Sequence, residues 1–285
     1  MPKRIEYKPA GLTNYVFEAS CKEGEFIVRI ASSRGKLSDY IKEQWAVERA
    51  SEKGVPVAQI LEVGSEVVSM PYMLQEKLDG QEAVDHPARL DILKELGRYA
   101  QIIHSIPTSN YGNGFNWSKN RLSKNTTWKG YVHDEWQVAR RLKVLEKHDM
   151  LGVTHFNKLT RIVSKIEKLK APPCLNHGDI RLKNVIVNDK GIILAIIDWE
   201  NCTSNMAPYW DLSIALHDLS IDGKQRLLEG YGMDPKEFEK ISPVIKAFNI
   251  LNYADSIERI AARKDKATLE HYRLRMKGFM DLFSI

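Results

Sequence analysis

A polar–apolar–turn–apolar–polar stretch in the second half of the chain constrains the fold more than any other feature. It reads Cys174-Leu-Asn-His-Gly-Asp-Ile-Arg-Leu-Lys-Asn-Val-Ile-Val187, then Asn188-Asp-Lys-Gly191, then Ile192-Ile-Leu-Ala-Ile-Ile-Asp-Trp-Glu200. Two apolar runs, Val185–Val187 and Ile192–Ile197, flank an Asn-Asp-Lys-Gly turn, which predicts a short β-hairpin inside a helical region. A hairpin brings its outer ends together. Asp179 and Asn184 before it and Asp198 after it are therefore expected to converge. Their oxygens are hard ligands of the kind magnesium takes when phosphates supply the rest of its shell.

The surroundings of this hairpin differ on its two sides. The first ~80 residues are strand-rich. Tyr15–Ala19 and Glu25–Ile30 are joined by Cys21-Lys-Glu-Gly24, a hairpin signal, and strand-like runs recur near Gln59–Gly64 and Pro71–Lys77. Between them a helix is expected over Ser38–Lys53, capped by Ser38 and stopped by Gly54-Val-Pro56. Its Tyr40, Glu43, Val47 and Ala50 share one face. From His86 onward the pattern is helical, with a stripe of Leu93, Leu96, Tyr99, Ile103 and Ile106 and further helices over Trp136–Leu145 and Leu159–Leu169. The polar stretch Asn110–Thr127 reads as a long loop.

Composition excludes several classes. With 43% hydrophobic and 28% charged residues the chain is a globular protein, not a disordered one. The formal net charge of +5 permits a polyanionic partner without demanding one, and nucleotide phosphates satisfy it as well as nucleic acid. Cys21, Cys174 and Cys202 are sparse and unpaired in spacing, against a disulfide framework or zinc ribbon. No apolar run reaches ~18 residues and Met1-Pro-Lys-Arg-Ile-Glu leads into no signal core, so the expectation is a cytoplasmic protein without a membrane span.

His177-Gly-Asp-Ile-Arg-Leu-Lys-Asn184 resembles the His-Gly-Asp-(four residues)-Asn catalytic loop of aminoglycoside phosphotransferases and their choline, homoserine, methylthioribose and fructosamine kinase relatives. Ile197-Asp-Trp-Glu200 resembles their metal-binding segment, and Pro208-Tyr-Trp-Asp-Leu212 the segment whose aspartate, here Asp211, braces the loop. The resemblance implies an α+β, protein-kinase-like two-lobed fold: a small β-rich N-lobe over residues 1–78 and a larger, mainly helical C-lobe over 79–285.

It also implies a division of labour. Asp179 is the expected catalytic base, and Asn184 and Asp198 the expected Mg2+ ligands. Gly11-Leu-Thr-Asn-Tyr15 stands where relatives place a phosphate-covering loop, so Thr13 and Asn14 are candidate nucleotide contacts. Ile27-Val-Arg-Ile30 stands where protein kinases carry Val-Ala-Ile-Lys; Arg29 replaces the lysine and offers a planar fork in place of an ammonium. Glu43 is its expected partner, while Glu48 and Glu52 lie on another face. Leu74–Gly80 matches the inter-lobe hinge, with the Gln75 C=O and Lys77 N–H expected to read adenine. Arg181 is a candidate for the γ-phosphate, His177 a brace, and Cys174 a small buried hydrophobe.

The implied activity is ATP- and magnesium-dependent O-phosphorylation of a small hydroxyl acceptor, with an aminoglycoside-type antibiotic leading; GTP remains open as donor. Only twelve residues separate Asp198 from Asp211, too few for the activation segment on which protein kinases hold peptides. Within Trp199–Gly223, Glu200, Asp211, Asp218 and Asp222 occur without Lys or Arg, an acidity suited to a cationic acceptor, and Trp199, Tyr209 and Trp210 are a weaker candidate cation–π box. Trp128, Tyr131 and Trp136 either pack the helical lobe or line the acceptor cleft. Choline or ethanolamine, homoserine, a sugar or a macrolide are the alternative acceptors. A different class, a non-catalytic nucleotide- or nucleic-acid-binding module, rests on Arg259, Arg263, Lys264, Lys266, Arg273, Arg275 and Lys277, which interspersed acids make a solvated helix face instead. Nucleic acid and membrane are not expected partners; the sequence leaves the oligomeric state open.

Overall fold

A computed structural model describes residues 4–9, 14–114 and 125–281. The chain opens with β1 (Arg4–Lys8), β2 (Asn14–Ser20) and β3 (Glu25–Ala31), followed by α1 (Leu37–Glu52), β4 (Ile60–Gly64) and β5 (Tyr72–Glu76). These strands form one antiparallel sheet in the order β1-β2-β3-β5-β4. The expected first hairpin is present, closed by the Cys21 N–H to Gly24 C=O bond of 2.9 Å. Strand β1 has no sequence signal of its own, because Arg4-Ile-Glu-Tyr-Lys8 alternates too briefly to stand out; it is an edge strand with Ile5 and Tyr7 exposed. Ser38 does not cap α1. The helix continues directly from a 3-10 turn at Arg34–Lys36, and the Ser38 hydroxyl donates to the Gly35 carbonyl. The predicted inner face holds: Tyr40, Glu43, Val47 and Ala50 are all buried.

Beyond β5 come β6 (Gln81–Glu82), α2 (Arg89–His104), the single turn α3 (Trp128–Gly130), a π-helical turn over Tyr131–Glu135, α4 (Val138–Lys147) and α5 (Val153–Ile166). Then follow β7 (Cys174–Asn176), β8 (Val185–Val187), β9 (Ile193–Ile196), β10 (Thr203–Asn205), α6 (Tyr209–Ala215), α7 (Ile221–Tyr231), α8 (Pro235–Asn252), α9 (Ala254–Ala262) and α10 (Lys266–Asp281). Strands β8 and β9 are the predicted second hairpin, extended by β6 into a three-stranded sheet; β10 pairs with β7. The architecture is α+β, a small antiparallel sheet beside a larger helical region.

Two apolar cores hold it. One runs from Ala31, Tyr40 and Val47 through Leu96 and Leu175 to Trp199 and Leu212, so it continues from the sheet into the helical region. The other gathers Trp128, Tyr131, Trp136, Leu145 and Phe248. A main-chain link also joins the regions: Ile196 N–H donates to the Pro56 carbonyl at 2.8 Å, beside a parallel bridge between Val57 and Ile196. Helices α2 and α7 cross at glycines; a Cβ on Gly97 would lie 2.0 Å from the Leu227 carbonyl oxygen, and one on Gly230 1.7 Å from that of Lys94. No helix among the described residues is long and apolar enough to cross a membrane.

Candidate active site

The loop between β7 and β8 is held from below by a buried carboxylate. Asp211, fully buried in α6, accepts the His177 N–H at 2.8 Å, the Gly178 N–H at 2.7 Å and faces His104 Nε2 at 3.0 Å. His104 Nδ1 in turn lies 2.9 Å from the Tyr231 hydroxyl, a contact made possible by the close α2–α7 crossing. Burial alone would raise the Asp211 pKa, but His104, His177 and the Gly178 N–H outweigh it and hold the carboxyl below its ordinary value. The bracing role expected of Asp211 is therefore filled; His104 and Tyr231 had no motif to reveal them.

His177 is a second brace. Its Nδ1 accepts the Asp179 N–H at 3.2 Å, so Nε2 carries the proton and donates to the Ile197 carbonyl at 3.1 Å. Burial depresses its pKa, which keeps the ring neutral. Gly178 adopts φ +84°, and a Cβ there would sit 2.1 Å from the Asn201 carbonyl oxygen. Only glycine lets the loop lie directly on the segment that follows β9.

This contact brings the three predicted oxygen ligands together. Asn184 donates its amide nitrogen to Asp179 Oδ2 at 3.0 Å and to the Asp179 carbonyl at 2.8 Å, which turns the amide oxygen to the other side. The Ile197 N–H bonds the Asn184 carbonyl at 2.9 Å, fixing the residue before Asp198. Asp198 itself has φ +65°, a left-handed conformation. Its carboxyl is pushed up to about 6 by burial first and then by the nearby negative charges of Glu200, Glu43 and Asp179, against the pull of Arg29. Asp179 goes the other way: burial is outweighed by Lys183 and Arg181, and its pKa is lowered. Arg181 grips Asp179 Oδ1 through Nε at 2.6 Å and a second nitrogen at 2.5 Å, and Lys183 reaches Oδ2 at 2.9 Å. The candidate γ-phosphate cation thus rests on the carboxylate two residues before it.

Arg29 and Glu43 meet as expected, at 2.6 Å, with side-chain exposures of 11% and 2%. Burial opposes the charge on Arg29, yet Glu43 raises its pKa well above the ordinary value. Glu200 stands 3.8 Å from the same guanidinium, and the buried Lys42 donates to the Glu200 carbonyl at 3.2 Å. The second oxygen of Glu43, Oε2, is buried with no hydrogen-bond partner among the described residues. An orphaned carboxylate oxygen beside a carboxyl raised by burial and by neighbouring negative charge is what a bound cation would compensate, so the donors fit magnesium. Among the described residues no group of three His, Cys, Asp or Glu forms a metal cage, so such an ion would draw on phosphate oxygens and water.

Two nucleotide-contact expectations change. Lys77 N–H donates to the Glu25 carbonyl at 3.3 Å, so it faces β3, and Gln75, two residues away on the same strand, faces β3 with it. The intervening Glu76 N–H points the other way, to the Gln59 carbonyl. The Gln75 and Lys77 main chains are therefore directed toward β3, and that of Glu76 away from it. The Gln75 side chain is buried against the Ala58 carbonyl. Asn14 is buried and its side-chain oxygen accepts the Tyr40 hydroxyl at 3.0 Å. Thr13 lies outside the described residues.

Asp179 and Arg181 open onto a cavity of about 680 Å3 among α4, α6, α8 and α9. Tyr131 and Trp136 line it although both also belong to the second core, whereas Trp128 only packs, its Nε1 bonded to the Ile166 carbonyl. The supposed aromatic box does not form. Trp199 is 1% exposed and its ring tilts against that of His177, while Tyr209 and Trp210 pack on Phe248. Of the four acids in 199–223, only Asp218 lines the cavity, and Arg275 meets it at 2.7 Å. Arg141 there pairs with Asp255 at 2.7 Å. Cys174 and Cys202 are buried and their thiols pushed up to about 12 by that burial.

A sequence model of the Phosphotransferase enzyme family matches residues 5–243. The chain belongs to this family. As a member of the phosphotransferase family it transfers phosphate to a hydroxyl group. Its fold is shared with the aminoglycoside phosphotransferase APH(4)-Ia, at TM-score 0.73 and 15% identity, covering 100% of this chain and 95% of that one. A thermostable mutant of that enzyme in ternary complex with AMP-PNP and hygromycin B matches at TM-score 0.71 and 15% identity, over 98% and 94% of the two chains. The GDP and kanamycin complex of APH(2")-IIia matches at TM-score 0.70 and 14% identity, over 99% and 95%. No curated protein sequence is significantly similar to this phosphotransferase.

Asp198 gives the phosphotransferase a pH signature. Its folded pKa lies above the unfolded value of 3.8, so the folded, metal-free chain binds the extra proton and loses stability as pH rises from about 4 through about 6. A bound cation reverses this. Mg2+ with nucleotide is therefore expected to raise the melting temperature more at pH 7.5 than at pH 5, and equal shifts at the two pH values would contradict the assignment.

Proposed function

We propose that this phosphotransferase is an ATP- and Mg2+-dependent kinase of a small polar molecule. The observation that carries the reading is the convergence of Asp179, Asn184 and Asp198 beside the Arg29–Glu43 pair, at the mouth of a cavity of about 680 Å3. Asp179 orients the acceptor hydroxyl and takes its proton; a lowered pKa keeps it ionised for that task at neutral pH. Arg181 and Lys183 leave Asp179 for the transferring phosphoryl oxygens as charge develops there. Asn184 and Asp198 hold the magnesium, which neutralises phosphate charge when bound. Arg29, steadied by Glu43, holds the non-transferring phosphates, and the hinge main chain at Glu76 takes the base, where a purine of either ATP or GTP fits.

An aminoglycoside-type acceptor is supported by the hygromycin B and kanamycin complexes of the structural neighbours and by the cavity's size. The three arginines in the cavity, Arg141, Arg181 and Arg275, favour a second reading, a less cationic hydroxylated metabolite. In this reading the chain divides into an N-lobe over 1–78 and a C-lobe over 79–285, with the nucleotide bound between sheet and helices. The test is transfer of labelled phosphate from Mg-ATP to kanamycin, hygromycin B, methylthioribose, choline and homoserine. Tight Mg-ATP binding with transfer to none of them would instead favour a non-catalytic module.

Loss of the Arg29 anchor has its own signature. Glu43→Ala is expected to raise the KM for ATP about tenfold and to cost about 3–5 kcal/mol of stability, because a buried guanidinium is left without its partner. Steady-state kinetics and urea unfolding check both; an unchanged KM for ATP would separate Arg29 from the phosphates.

A further inference from the structure

One buried charge close to the site has no role in the reaction as described. Lys42, next to Glu43 on α1, is 4% exposed. Its ammonium donates to the Glu200 carbonyl at 3.2 Å and has no ion-pair partner among the described residues. The two acids beside it turn to Arg29 instead, Glu43 at 2.6 Å and Glu200 at 3.8 Å. An ammonium buried against a single carbonyl is a poor way to stabilise a fold, because no counter-charge offsets its desolvation. A methionine has nearly the same length and fills the same space without that cost. The lysine is explained by what it holds.

It holds the turn that Asp198 opens. Asp198 adopts φ +65° and ψ 58°, left-handed values that a residue with a Cβ keeps where its neighbours fix both flanks. The incoming flank is fixed by the Ile197 N–H on the Asn184 carbonyl at 2.9 Å. The outgoing flank is the 3-10 turn Trp199–Asn201, and Lys42 bonds its middle residue. The Cys202 N–H closes that turn onto the Trp199 carbonyl at 2.9 Å, and Gly178 lies against the Asn201 carbonyl. Neither of these contacts reaches the sheet side of the molecule, whereas Lys42 does. Because Glu43 is the next residue of α1, a single turn of this helix sets Arg29 through one side chain and the outgoing flank of Asp198 through another.

We infer that Lys42 is a positioning residue that clamps the turn after Asp198 to α1, so that the Asp198 carboxylate keeps the direction in which it meets a divalent cation. This rests on the reading of Asp198 as a magnesium ligand and deepens it. Lys42 acts on the ion only through the Glu200 carbonyl, and its removal weakens the grip on the ion without loosening the fold.

The test titrates Mg2+ into wild-type protein, Lys42→Met and Lys42→Arg at saturating ADP, following the melting temperature, with urea unfolding of each metal-free protein alongside. Lys42→Met is expected to be at least as stable as the wild type, yet to need about tenfold more Mg2+ for the half-maximal shift, the scale of one hydrogen bond from a charged group. Loss of a positive charge by itself tightens cation binding, so a weaker grip identifies the clamp and not the field of the lysine. Lys42→Arg keeps a donor and the charge, and its midpoint is expected within about threefold of the wild type. A merely structural role would lower stability and leave the Mg2+ midpoint in place. An unchanged or lower midpoint in Lys42→Met would overturn the inference, and so would a midpoint in Lys42→Arg displaced as far as in Lys42→Met. Failure of Lys42→Met to fold would overturn it too, by making the lysine a requirement of the fold. If Mg2+ with ADP leaves the melting temperature of the wild type unmoved at every concentration, the nucleotide and magnesium reading itself falls, a result distinct from these.

Discussion

Asp179→Ala should lower kcat by about a thousandfold or more while leaving Mg-ATP affinity within a few fold. The side chain is removed from a position where it accepts from Arg181, Lys183 and Asn184 but contacts no group assigned to the nucleotide base. Its loss leaves both cations in place and free of their carboxylate, so phosphate binding has no reason to weaken. Asp179→Asn sharpens the comparison: it keeps the shape of the loop yet cannot take a proton. Isothermal titration with a non-hydrolysable ATP analogue and single-turnover phosphate transfer give the two numbers. Near-normal kcat in either variant would remove Asp179 from the reaction, and a parallel collapse of nucleotide affinity would show the loop to be structural only.

Asp211→Ala should be the most destabilising single change near the site, at about 3–5 kcal/mol. It strands two buried main-chain donors, the N–H groups of His177 and Gly178, and leaves His104 Nε2 without its acceptor. Activity should fall with the fold, because the same two N–H groups set the path of the loop into Asp179. The sign with pH is definite. The folded pKa of Asp211 is depressed, so its contribution is complete above the unfolded value of 3.8 and is lost only as pH falls below that through the folded pKa. Urea titrations at pH 7 and pH 3 should thus show a gap between wild type and variant that narrows at the lower pH. A gap of under about 1 kcal/mol at pH 7 would mean that the loop finds other acceptors.

Much of this site is written locally. The β8–β9 hairpin follows from two apolar runs and a turn of four residues, and once it forms, Asn184 and the segment leading to Asp198 are bonded across its ends. Arg29 and Glu43 were readable for a similar reason: one sits on a strand, the other on the buried face of the next helix, at a fixed spacing from its glycine stop. What could not be read depends on contacts between distant elements. The His104–Asp211 contact joins helices 107 positions apart, and nothing around His104 distinguishes it from any histidine ending an amphipathic helix. The hinge is hard to read for another reason: strand direction alternates at every position, so a motif alignment off by one reverses every main-chain group. The acidity of 199–223 misled because charge in sequence says nothing about direction: Asp211 turned inward to the loop, Glu200 toward Arg29, and Asp218 to an arginine from α10.

The bond from Ile196 to the Pro56 carbonyl has a mechanical corollary. Pro56 lies between the helix and the fourth strand of the small sheet, and Ile196 is two positions ahead of Asp198. If the sheet swings outward to admit or discharge a nucleotide, this tether must either snap or drag the aspartate along. Opening of the sheet and the position of the segment leading to Asp198 are therefore coupled through this hydrogen bond and the neighbouring Val57–Ile196 bridge.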